Sequence, residues 1–159
     1  MADFDFIGAL GTLPEMSEIK LELESVTSFS RASLQVRDRL PLFAAAIAQA
    51  MSSKITPTQL RRFYSYVKSI ELVNRSLSDT SEDIRDKYKL RFILPKIAGT
   101  GEKERKSLDC LYEVLVVCLL NGEKIQTVGD LRVFVEFFEA ILDYHASLPK
   151  KDSNSNRRA

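Results

Sequence analysis

Apolar residues recur at helical intervals along most of the chain. Leu60, Phe63, Tyr64, Val67 and Ile70 fall at i, i+3, i+4, i+7 and i+10, the face of one α-helix. Ile55-Thr56-Pro57-Thr58-Gln59 just before them reads as a helix start. Thr56 is placed to cap, Pro57 takes the first turn where its missing N–H costs nothing, and Gln59 sits where it closes a capping box. This helix is expected to fade near Asn74–Ser78. Leu108, Leu111, Tyr112, Leu115, Cys118 and Leu119 predict another over Glu102–Leu120, stopped by Asn121-Gly122. Leu131, Phe134, Val135, Phe138, Ile141 and Leu142 predict a last one from Thr127 to about Ser147. Val133 and Phe137 widen its apolar face, as expected of a helix that is central or meets a partner.

Other stretches are less regular. Leu34, Val36, Leu40, Phe43, Ala44 and Ile47 predict a helix over Ser33–Met51, with Pro41 either starting it or kinking it. Ser78–Asp83 is rich in capping residues, and a further helix is expected from there to about Leu94. Pro95 and Gly99-Thr100-Gly101 then interrupt. Residues 1–32 are weakly patterned. Ile19, Leu21 and Leu23 alternate with charges in a strand-like or fraying manner. This segment is expected to be flexible, or to dock loosely through Phe4 and Phe6. Residues 149–159 are polar and expected to be disordered. The fold class that follows is all-α: a compact bundle of about five helices with short connections over residues 33–148.

Composition agrees. Glycine (6) and proline (5) are scarce among 159 residues, too few for the turns of an all-β fold. Met1–Leu10 includes acids and no basic group, and no apolar run is longer than Val114–Leu120. Neither a signal peptide nor a membrane span is expected, and the chain is assigned to the cytoplasm. Cys110 and Cys118 stand about 12 Å apart along one helix, too far for a disulfide, and read as buried thiols. With a single histidine, His145, they are too few to hold a metal, so no metal or cofactor is expected. No phosphate-binding glycine loop or metalloprotease motif occurs. Surface pairs such as Glu136 and Glu139 are weak signals for acid–base chemistry. The chain is not read as an enzyme.

Charge changes the picture only through its distribution. The net charge is +1. Residues 1–30 carry six acids against Lys20, whereas residues 85–106 are net basic. Arg61, Lys68 and Arg75 recur every seven residues and drift only about 20° per step, a row able to follow a phosphate backbone. A snorkelling rim around the core fits this spacing equally well, and Glu71 lies close to the row. Arg91, Lys96, Lys103, Arg105 and Lys106 cluster at a helix junction, and Lys54 precedes the Thr56 cap. Tyr64, Tyr66, Tyr88 and Tyr112 are candidates for base stacking, though most fit core periodicity.

Three segments carry a family resemblance. Ile55-Thr56-Pro57-Thr58-Gln59-Leu60-Arg61-Arg62-Phe63-Tyr64 resembles a capped basic signature of the small subunit of type III-A CRISPR effector complexes. Leu94-Pro95-Lys96-Ile97-Ala98 is similar to that family's proline-lysine segment, and Phe134–His145 to its closing aromatic helix. Together they span about Ile47–Leu148. The chain departs from the pattern after Ala98, where Gly99-Thr100-Gly101 replaces a common tyrosine and a following arginine. The resemblance implies a non-catalytic five-helix protein, present in several copies beside other effector subunits. It implies contact with target RNA paired to CRISPR RNA, through the phosphates. Arg61 and Arg62 fall in the family's basic motif, and Lys96 in its proline-lysine motif. Lys54, Lys68, Arg75, Arg91, Lys103, Arg105 and Lys106 join them from charge and helical position. A helical protein-interaction adaptor without RNA contact is the alternative.

Overall fold

The computed structural model describes residues 4–51, 55–75 and 81–149, with the backbone alone at 102–105. Six α-helices lie among them: α1 (Met16–Glu24), α2 (Leu34–Met51), α3 (Pro57–Asn74), α4 (Ile93–Ala98), α5 (Glu102–Leu120) and α6 (Val128–Ala146). Two 3-10 turns, Gly8–Leu10 and Lys87–Phe92, precede α1 and α4. The all-α class holds, with one helix more than the five expected. The last helix is central: α6 packs on α2 along most of its length and on α3 beside it, while α5 joins α1, α2 and α4 behind. Phe134 and Phe138 are fully buried and meet edge to face at 6.2 Å. Rings so placed add specific geometry to the area they remove from water.

Local chemistry starts the two best-marked helices. Gln59 N–H donates to Thr56 Oγ1 at 3.1 Å, and Thr56 N–H donates to Gln59 Oε1 at 2.8 Å. Thr127 and Asp130 repeat the box at the head of α6. Gly122, at φ +80°, supplies the left-handed residue just beyond α5. Helix α2 runs unbroken through Pro41 rather than starting there. The lost hydrogen bond costs about 3 kcal/mol. Burial of Leu40, Phe43, Ile47 and Met51 on the same helix outweighs it, at about 1.5–3 kcal/mol for each side chain.

The expected helix before Leu94 is instead the 3-10 turn followed by short α4. Its opening amides are engaged elsewhere. Ile84 N–H donates to Gln126 O, and Arg85 N–H donates to Asn74 Oδ1 at 2.7 Å. Asp86 is left-handed, at φ 59°, which no helix continues through. Pro95 does not interrupt α4 because it lies in the first turn, where no intrahelical N–H is required.

The strand-like stretch Ile19–Leu23 is helical. Ile19 and Leu23, one turn apart, are fully buried and Leu21 faces solvent. The segment enters the core through these two, Val26 and Phe29, whereas Phe4 and Phe6 remain exposed. Phe29 lies 6.2 Å from Phe134. The chain between α1 and α2 is latched to the α5–α6 connection. Phe29 N–H donates to Lys124 O, and the buried Lys124 ammonium donates to Val26 O at 2.7 Å. Asp130, only 2% exposed, accepts from Ser28 Oγ, Ser30 N–H, Gln126 N–H and Thr127 N–H. Burial alone would raise its carboxyl, but these donors hold it well below the ordinary carboxylate value.

Candidate nucleic-acid interface

Arg62 and Lys96 come from different helices and line one groove. Helix α3 presents Arg62, Phe63, Ser65 and Tyr66 on one wall. The other wall is Lys96 of α4 with the turn Gly99-Thr100. The groove holds about 520 Å3 and is open to solvent. Arg62 also borders an adjoining depression with Gln59, Thr100 and Gly101. Gly101 is the residue before α5 and has no side chain to cap that helix's first amides. The Lys96 ammonium stands over the Tyr66 ring, 4.7 Å from its centroid. This contact steadies the cation without neutralising it. Tyr66 in turn donates its hydroxyl to Lys89 O at 2.7 Å, which fixes the ring. Two cations, the hydroxyls of Ser65 and Thr100 and the ring of Tyr66, set beside the buried Phe63 in an open groove, suit an extended anion. They form no nucleophile–base pair, and among the described residues no group of three metal-ligating side chains occurs.

The remaining basic positions separate. Arg61 is exposed on α3 but does not line the groove. Lys68 and Arg75 both hold Glu71, at 2.7 and 2.9 Å. The Glu71 side chain is only 8% exposed. The hydrogen bond from Arg75 and then that from Lys68 hold its carboxyl below the ordinary value despite burial. Beyond Arg61 one carboxylate thus holds both cations of the seven-residue row and offsets half their charge. Glu71→Gln should release both cations and raise affinity for an RNA duplex about threefold at low salt, as read by fluorescence anisotropy. Unchanged affinity would show that the row takes no part. Arg91 is not in the groove: it lies with Lys87 and Glu123 near the α5–α6 connection. Lys106 is exposed on α5. Lys54 and the side chains of Lys103 and Arg105 lie outside the described residues.

Of the candidate tyrosines, Tyr64 packs against Phe138 and Tyr112 against the core, while Tyr66 belongs to the groove. Sequence reasoning took Gly99-Thr100-Gly101 for a plain turn and missed Ser65 and Thr100 as groove residues. Nothing local marks them: Ser65 sits one turn from Arg62 on α3, and Thr100 reaches both only across the α3–α4 packing. His145, whose place near the end of the last helix suits a partly exposed histidine or one at the helix's C-terminal dipole, is in the last turn of α6 and buried. Cys110 and Cys118 are free and buried. Burial pushes the Cys110 thiol up to about 11 and the Cys118 thiol up to about 12, so both stay protonated and unreactive.

The family model described as Csm2 Type III-A matches residues 35–151. The chain belongs to this family. It is thus a small subunit of the type III-A CRISPR effector, the Csm complex. The match takes in α2 to α6 and the groove, and it leaves α1 and the latch to Phe29 outside. No curated protein and no solved structure matches the chain. Among the described residues no helix is long and apolar enough to cross a membrane.

Proposed function

We propose that this Csm2 protein is a non-catalytic subunit that holds the duplex of target RNA and CRISPR RNA by its phosphates. The observation that carries the reading is the pairing of Arg62 with Lys96 across the α3–α4 groove. Both are exposed, and both stand where the sequence resembles the family's basic motifs. Contact of this kind positions a strand without reading its sequence. With a net charge of +1, a single copy would bind weakly. Several copies aligned beside the other effector subunits would bind one long RNA far better, because linked sites raise the effective concentration. The proposed place of action is the cytoplasm, where free buried thiols are stable.

The test is Arg62→Glu with Lys96→Glu, measured in the assembled complex. Target RNA binding should weaken at least about tenfold at low salt. The slope of log affinity against log salt should fall by about 2, one for each lost phosphate contact. Thermal melting of the isolated chain should fall by no more than about 4 °C, since both side chains are exposed and only the Lys96–Tyr66 contact is lost. Undiminished affinity with an unchanged slope would overturn the reading and leave an assembly role without RNA contact.

A further inference from the structure

The 3-10 turn Lys87–Phe92 has three residues per turn, so side chains at i and i+3 eclipse. One row holds Lys87 and Leu90 and continues to Ile93. Leu90 and Ile93 are buried, and they pin the turn to the core. The other two rows face outward. One carries Tyr88 and Arg91, the other Lys89 and Phe92. Each outward row thus pairs one aromatic ring with one cation. Tyr88 is 63% and Phe92 53% exposed, and their rings meet edge-on at 80° with centroids 6.4 Å apart.

The charge around these rings indicates what covers them. Arg85, Lys87, Lys89 and Arg91 stand against Asp86 alone within the segment. Lys87 is engaged by Glu123 at 2.8 Å, and Lys89 lies 3.6 Å from Asp86. Arg91 is exposed. The partner that fits is anionic and carries flat apolar faces. The turn also adjoins the groove: Tyr66 holds Lys96 over its ring and the Lys89 carbonyl at its hydroxyl.

We propose that this turn binds unpaired nucleotides of single-stranded RNA, with bases stacked on Tyr88 and Phe92 and phosphates at Arg91 and Lys89. The inference rests on the RNA reading above but concerns a different surface and a different form of RNA. The bases of a duplex are stacked on one another and offer no free face. Splayed bases do, and aromatic side chains hold them irrespective of sequence.

The experiment uses the full chain and two probes at low salt: a short oligoadenylate with one internal 2-aminopurine, and a blunt RNA duplex. Tyr88→Leu with Phe92→Leu keeps apolar bulk and removes the π faces. Binding of the parent chain should change 2-aminopurine fluorescence. The double variant should abolish that change and weaken single-strand affinity about tenfold or more, with duplex affinity altered less than about twofold. Tyr88→Phe should behave as the parent. Single-strand binding by the leucine variant equal to the parent's overturns the proposal, as does failure of the parent to bind the single strand. Loss of effector subunits from the leucine variant with single-strand binding intact would mark a protein interface and also overturn it. Arg62→Glu with Lys96→Glu is run alongside. Duplex binding that ignores those two charges defeats the backbone reading and leaves the stacking result to stand by itself.

Discussion

Removal of residues 1–31 is expected to leave a chain that does not fold, although all of them precede the part matched by the family model. Ile19, Leu23 and Phe29 are fully buried and Val26 nearly so. At about 1.5–3 kcal/mol for each such side chain, their loss amounts to about 6–12 kcal/mol. Whole domains are stable by only about 5–15 kcal/mol. The deletion also uncovers Phe134, which Phe29 packs against, and strips the buried Lys124 ammonium of its acceptors at Glu24 and Val26. Circular dichroism and gel filtration of the chain from residue 32 onward should show lost helicity and association. A cooperative melt within a few degrees of the full chain would mean that the segment is a dispensable appendage.

Asp130→Ala is expected to cost about 3–5 kcal/mol, because the carboxylate takes four hydrogen bonds and caps α6. For a chain of this size that is a fall in Tm of about 10 °C. The same carboxylate gives the fold a signature in acid. Its folded-state pKa is depressed below the ordinary 3.8. The stabilisation is therefore complete above that value and drains away as pH falls from it toward the folded-state pKa. Asp130→Asn, which cannot ionise, should be less stable than the parent at neutral pH. Denaturant titrations should show the gap between the two narrowing below about pH 4. A gap that stays constant to low pH would show that the carboxylate's charge is not what the donors stabilise.

Features made by residues close together in the chain are legible from the order of the residues alone. The Thr56–Gln59 and Thr127–Asp130 boxes lie within one turn, and both form. The stripes of α3, α5 and α6 follow from residues three and four apart, as does the crowding of Glu71 against Lys68 and Arg75. The paired motif positions Arg62 and Lys96 are legible as basic residues, because charge is written in the composition.

What packing decided was hidden for a physical reason in each case. Ile19 and Leu23 are a helical pair, but Leu21 between them imitates a strand. Only the surfaces of α2 and α5 select which of the three is buried. The helix expected before Leu94 has adequate residues, but Gln126 and Asn74 hold the amides of Ile84 and Arg85, and the chain then turns left-handed at Asp86, which no helix continues through. Arg91 and Lys96 are close in the chain yet end on different surfaces, one beside Glu123 and the other over Tyr66. The sequence by itself determined an all-α chain, its main helix starts and its supply of cations. Which cations share a groove, and which aromatics stay in water, was decided by contacts between distant segments, since α3 meets α4 and the turn before it only through residues far apart in the chain, as Tyr66 meets Lys89 and Lys96.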